Sequence, residues 1–379
     1  MPNTKYLCID DQQDRTIEDL IDSLSYGNQL SIDRKTPVEL GDQIGQIAAA
    51  ADENKANGFG LLLDLRLDME ADASGKKVPY RGPTLAQELR TRMAEKSVRS
   101  FPIVLWSINE RFANSFYGDD TSHDLFDAIY GKDELVVRQP QLVASQMISL
   151  AAGYKMLELP EINDETSIQC LGLTKSDSVG IHAAFLDEYL VAMKEQSRHE
   201  VAYLLLSDLV RVPGLLVEEK MVAARFGVDI ENSKESWPKL KRHFESAVYR
   251  GPFGDGWPRW WWFRIEDWWN ELSDRQPNLR RLTAGERIQL INTQLSLDLV
   301  SASPIRPEYS TKYFSLCVAT RKPLDPADGL RVTRRDRKSW HDTLFVSAYA
   351  ALERIEKERW RIDPLDRERF DMLKMQAGG

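Results

Sequence analysis

Short apolar runs that end in acid alternate with stretches of helical period over roughly the first 155 residues. Residues 5–10 (KYLCID) read as a buried strand, and the polar turn after them opens a helix near Arg15–Leu24. Residues 43–52 (QIGQIAAAAD) carry a helical pattern. Phe59–Leu63 (FGLLL) is a second buried strand, again followed by acid at Asp64. Residues 84–97 predict a helix with Thr84 as its cap. Residues 101–106 (FPIVLW) predict a third strand, residues 122–129 lead to Gly131–Lys132, and Leu142–Met156 predicts a closing helix. Strands that are apolar throughout and alternate with helices imply a doubly wound parallel sheet covered on both faces.

Residues 157–180 carry Pro160, Gly172 and Gly180 among many polar positions, which sets the expected boundary between a domain at 1–158 and another at 165–379. Beyond it the helical period dominates. Helices are expected at Trp237–Tyr249, Trp260–Leu272, Ala284–Leu299 and Ser339–Arg359, with a short strand at Tyr313–Val318. A helix ending at Gly227 accounts for LLVEEKMVAARFGVDIEN better than a helix-turn-helix does, because Glu218, Glu219, Asp229 and Glu231 would face a DNA backbone. In WPRWWWFRIEDWWNEL, helical spacing puts Trp261, Ile265, Trp268 and Leu272 on one inward stripe. The surplus tryptophans read by default as a helix buried on nearly all sides, and in the alternative Trp260 and Trp262 form an exposed partner-binding surface.

Composition adds bounds. With 42% hydrophobic and 29% charged residues in 379, the chain has a globular balance, and its net charge of −9 does not suit a general nucleic-acid coat. No run of about 18 apolar residues is present, so no membrane span is expected. The first residues lack the pattern of a secretory signal, and Cys8, Cys170 and Cys317 are odd in number and far apart, so a cytoplasmic, reducing location is expected. Asp325 and Asp328 suit turn caps or a cation. Cys317 and His341 lack the surroundings of a nucleophile and base, and Cys317 reads as a buried structural thiol. Residues 331–338 (RVTRRDRK) are a basic run, a solvated loop by default and a phosphate-contacting patch in the alternative.

In an open α/β sheet, ligands bind at the carboxyl ends of the strands. Asp10 and Asp11 end the first strand, Asp64 ends the next central one, Ser107 follows FPIVLW, and Lys132 follows the last strand. Three carboxylates at one crevice call for a hard cation such as Mg²⁺, with Asp10, Asp11 and Asp64 as its ligands. Asp64 can then accept a phosphoryl group, with Lys132 and the Ser107 hydroxyl holding its oxygens.

This set resembles the receiver domains of two-component response regulators. The acid pair in LCIDD, the acceptor position in LLLDLRLD, the serine after PIVLW, the lysine in DAIYGK and the helix start GPTLAQELR carry the resemblance over residues 1–155. It implies a flavodoxin-like strand order and phosphorylation of Asp64. Three positions depart from the family: Asp133 stands where a proline follows the lysine, Ile129 where the switch aromatic lies, and Ile108 where a small residue leaves the acceptor accessible. Residues 68–83 form an enlarged loop. The expected function is a cytoplasmic regulator whose receiver is coupled to a helical interaction or effector domain, with protein partners such as a histidine kinase. Two alternatives stand beside it. One is an accessory component of a bacterial multi-protein system, for instance antiviral defence, with an idle receiver. The other is an enzyme in the helical domain gated by the receiver.

Overall fold

The computed structural model describes residues 4–12, 15–25, 29–71, 75–107, 125–132, 136–275, 278–334 and 336–378. The chain divides into two compact units. The first comprises Met1–Val179, Ala183–Arg211 and Arg250–Trp257, and the second Gly180–His182, Val212–Tyr249 and Pro258–Gly379.

The first unit is built on a five-stranded sheet of β1 (Thr4–Ile9), β2 (Leu30–Lys35), β3 (Phe59–Asp64), β4 (Ile103–Ser107) and β5 (Ala128–Gly131). Their order is β2-β1-β3-β4-β5 and every pairing is parallel. This is the flavodoxin-like order, with its switch point between β1 and β3. The helices are α1 (Arg15–Leu24), α2 (Leu40–Glu53), α3 (Gly82–Ala94) and α4 (Pro140–Met156). β3 is buried at all six positions and β4 at all five, as expected of central strands covered on both faces. β2 (LSIDRK) has only Leu30 buried, because it lies at the sheet edge. Its polar sequence therefore gave no strand signal. Thr84 is not the cap of α3: the helix starts two residues earlier, after Arg81, with Pro83 in its first turn.

At the amino end of the strands a buried ion pair locks α3 to the sheet. The Arg90 guanidinium donates to Asp127 Oδ2 at 2.7 Å and to the Phe101 and Leu125 carbonyls. Asp127 also accepts from Ile103 N and from the Tyr154 hydroxyl. The carboxylate thus has donors on both oxygens, the condition under which a buried pair holds.

The unit extends past residue 158. Arg211 donates to the Asp127 carbonyl and lies 4.6 Å from the Trp257 ring centroid. Gly153 on α4 makes room for Phe253: a Cβ there would lie 2.3 Å from the ring. Ala183–Arg211 and Arg250–Trp257 therefore share the core of the sheet unit, a long-range packing that the Pro- and Gly-containing segment at 157–180 does not disclose.

The remainder of the chain is about half helical. The second unit adds three two-stranded ribbons to its helices, Leu216–Val217 with Trp260–Trp261, Ser315–Leu316 with Pro323–Leu324, and Gly329–Arg331 with Phe345–Ser347. The helix at Glu219–Phe226 ends on Gly227 with φ 79°, the left-handed turn expected there. The expected helix Ser339–Arg359 is not formed. Phe345–Ser347 pairs with Gly329–Arg331, Ser347 caps a short helix at Ala348–Leu352, and Arg354 and Glu356 both turn left-handed.

The tryptophan segment also differs from expectation. Its helix spans Trp262–Leu272, and the two residues before it are strand. The inward stripe is therefore Trp262, Ile265 and Trp269, while Trp268 is half-buried against Phe226 and Phe244. Trp260 and Trp262, the candidates for a partner-binding surface, are each only 8% exposed and belong to the core with Phe226, Leu240 and Ile291, as the default of a buried segment has it. Trp260 and Trp261 lie in the strand paired with Leu216–Val217, so their burial does not follow the phase of the helix. Arg225, wholly buried, lies 4.3 Å from the Trp262 centroid and 4.2 Å from that of Phe314, and pairs with Asp342.

Candidate functional site

Asp10, Asp11 and Asp64 converge at the carboxyl edge of the sheet, as the strand ends require. One carboxylate oxygen of each lies within 4.8 Å of the others, and all three residues are buried. Lys132, at the end of β5, donates to Asp64 Oδ1 at 2.6 Å and to Asp10 Oδ2 at 2.7 Å. It is 2% exposed, so these charges meet where water screens little.

Backbone donors fix the acids in place. Arg66 N donates to Asp64 Oδ2 at 2.8 Å, and Gln12 N to Asp10 Oδ1 at 3.0 Å. Asp11 Oδ2 accepts from Met69 N at 2.7 Å and Glu70 N at 2.8 Å, so the enlarged loop after β3 folds back onto the pocket. Gly82, the first residue of α3, allows this path, since a Cβ there would lie 2.2 Å from the Asp64 carbonyl oxygen. Ser107 stands buried at the same sheet edge, in register with Gly131.

Two participants had no sequence signal. Gln12 Oε1 accepts from Lys132 Nζ at 3.2 Å, and the Trp106 ring lies 4.7 Å from that nitrogen. Both depend on the lysine reaching across from β5. Ile129 is half-buried against the sheet core. Ile108 and Asp133 lie outside the described residues.

Burial pushes the Asp64 carboxyl up from its ordinary value of 3.8 to about 6. Lys132 pulls against that rise and Asp10 adds to it. Burial alone would lower the Lys132 ammonium, but Asp64 and Asp10 outweigh it and raise it. A carboxyl with a higher pKa folded than unfolded binds its proton more tightly in the folded state. Its contribution to stability is present below about pH 4 and is lost as pH rises through about 6. In Mg²⁺-free buffer, Asp64→Asn is therefore expected to gain stability relative to wild type across that window, by about 2–3 kcal/mol at pH 7. Urea denaturation at pH 4 and pH 7 checks this, and a difference that does not change with pH refutes it.

The donor set fits a hard divalent cation: three carboxylates, no sulfur or imidazole, and a raised acid that a cation would relieve. The three cysteines are free and buried. Cys317 Sγ accepts from Ser347 N, while His341 Nδ1 accepts from Lys338 N, as suits structural side chains. Asp325 caps the turn at Pro326–Asp328, and Asp328 accepts from Ser310 N. Among the described residues, no helix is long and apolar enough to cross a membrane.

Sheet order and pocket together define the first unit as a flavodoxin-like α/β domain with an acid–lysine site at its switch-point edge. No family model and no curated protein matches the chain. Among solved structures, the phosphorylated cyanobacterial phytochrome response regulator RcpA is similar in part, with 16% identity, 38% of this chain and 89% of that chain covered, and a TM-score of 0.26.

Proposed function

We propose that the protein is a signalling regulator whose first unit works as a receiver, with Asp64 as phospho-acceptor. The observation that carries this is the clustering of Asp10, Asp11 and Asp64 within 4.8 Å, with Lys132 bridging two of them. A pocket with only a structural purpose would not gather three buried carboxylates around one cation, because their mutual repulsion and desolvation cost stability.

Asp10, Asp11 and Asp64 would hold Mg²⁺, which when bound offsets the negative charge of an incoming phosphoryl group. An Asp64 oxygen forms the new bond to phosphorus as the donor's bond to phosphorus breaks, and the donor leaves with that electron pair. Lys132, already within 2.6 Å of Asp64, would pair with the phosphoryl oxygens, and the hydroxyl of Ser107, at the same sheet edge, would donate to one. Transfer draws Lys132 toward the new charge and loosens its hold on Asp10, a local event that can bias the loops after β3 and β4. The donor called for is a histidine kinase, and the second unit delivers the output through protein contacts.

Incubating the full chain with acetyl phosphate and Mg²⁺ should label it, and Asp64→Asn should abolish labelling while the circular dichroism spectrum is retained. Labelling that persists in Asp64→Asn, or none in wild type at any Mg²⁺ concentration, overturns the phosphoryl role. The second outcome favours an idle receiver in a multi-protein system.

A further inference from the structure

A recess of about 320 Å³ opens in the second unit along the helix Trp262–Leu272, within the size range of small-ligand sites. Helical spacing puts Trp262, Glu266 and Trp269 on one face of that helix. The buried rings of Trp262 and Trp269 line the recess, and Phe263, half-buried, adds a third ring. Gly180 lets the chain pass close to that ring, since a Cβ there would lie 2.5 Å from it.

The charged groups of the lining are two carboxylates, Glu266 and Asp267, and one guanidinium, Arg280. Both acids are exposed, and among the described residues neither carboxylate takes a hydrogen bond or an ion pair. Glu266 acts only at longer range, on the buried Arg225, whose own partner is Asp342. Arg280 is committed to Phe314, 3.7 Å from the ring centroid, and Arg264, on the same helix, donates to the Ser246 carbonyl. The lining therefore has a surplus of negative charge with no cation held against it. It also has a donor left over. The indole N–H of Trp262, buried with its ring, has no acceptor among the described residues, and a buried donor beside a recess calls for a group from elsewhere.

We infer that this recess takes an arginine side chain presented by a protein partner. The guanidinium pairs with Glu266 and Asp267 and lies against the aromatic lining, and a peptide carbonyl of the same segment accepts from Trp262. Guanidinium groups match carboxylates in paired hydrogen bonds and stack on aromatic rings. The same unit already uses that stacking, with Arg225 on Trp262 and Phe314 and Arg280 on Phe314. Trp262 and Glu266 are one helical turn apart, about 6 Å along the axis, a span that an arginine bridges between its guanidinium and its own peptide group. The inference rests on the reading of the second unit as the part that makes protein contacts, and it needs no phosphoryl transfer.

The test is nuclear magnetic resonance of the full chain titrated with N-acetylarginine methylamide, at physiological salt so that diffuse attraction to an acidic chain is screened. The readout is the indole N–H signal of Trp262, assigned by its loss in Trp262→Phe. That signal should shift saturably, with an affinity of about 1 mM, and the uncharged citrulline analogue should bind about tenfold or more weaker. Glu266→Gln combined with Asp267→Asn should weaken the arginine probe by about tenfold or more. Asp267→Asn alone keeps the comparison usable if the double variant misfolds, and should still weaken binding measurably. No saturable shift, equal binding of the citrulline analogue, or unchanged affinity in the folded acid variants overturns the site. Methylguanidinium binding as tightly as the full probe overturns the protein partner in favour of a free small cation. Labelling of Asp64 is scored separately, so failure of the phospho-acceptor reading and failure of this site are distinguishable.

Discussion

Lys132→Met is expected to destabilise the protein by about 3–5 kcal/mol at pH 7. The lysine is 2% exposed and its ammonium is shared between Asp10 and Asp64, so its removal leaves two buried carboxylates facing each other without a counter-charge. The loss should shrink on acidification, because burial already raises the Asp64 carboxyl and Lys132 is what holds it down, so without the lysine Asp64 takes up its proton more readily and ceases to repel Asp10. It should also shrink in Mg²⁺, and by more than wild type gains, since a divalent ion replaces the missing charge. Urea denaturation at pH 5 and pH 7, with and without Mg²⁺, separates these contributions. A loss under about 1 kcal/mol at pH 7, or no response to Mg²⁺, would show the carboxylates to be compensated by something other than Lys132.

The second large effect is expected at Trp261. Its side chain is fully buried, edge-on to Tyr249 at 5.5 Å and tilted against Phe263 at 5.8 Å, so Trp261→Ala should cost about 3–5 kcal/mol by loss of packing. Trp260→Ala, Trp262→Ala and Trp269→Ala should cost similar amounts, whereas Trp268→Ala, half-buried, should cost about 1–2 kcal/mol. The ranking is the sharper part of the expectation. It opposes a continuous helix from Trp260, which would make Trp268 critical and leave Trp260 and Trp262 dispensable. Melting temperatures of the five variants check it, and a near-neutral Trp260→Ala would restore a tryptophan docking surface.

The same two regions show where the sequence was legible. β1, β3 and β4 carry runs apolar on both faces, and only a strand covered on both sides has that pattern, so the central sheet could be read directly. The edge strand β2 could not, because its side chains meet solvent and its only specification is the backbone ladder to β1. In the second unit the short ribbons hid the helix boundaries. Phe345–Ser347 is strand because Gly329–Arg331 lies beside it, a contact with no trace in its own periodicity.

By itself the sequence determined that a parallel sheet would form, and therefore that Asp10, Asp11, Asp64, Ser107 and Lys132 would share one edge. A parallel strand must present its carboxyl end on the same side as its neighbours, so residues that end such strands converge whatever lies between them. Only the tertiary structure decided what each group does there. Lys132 became the counter-charge of two acids, Asp11 was tied to the Met69 and Glu70 amides, and Trp106 came to lie beside the ammonium. The tertiary structure also brought Arg331, Arg334 and Arg337 to one recess. These outcomes depend on distances between residues far apart in the chain, set by packing of whole elements, and no local pattern of apolar and polar positions encodes them.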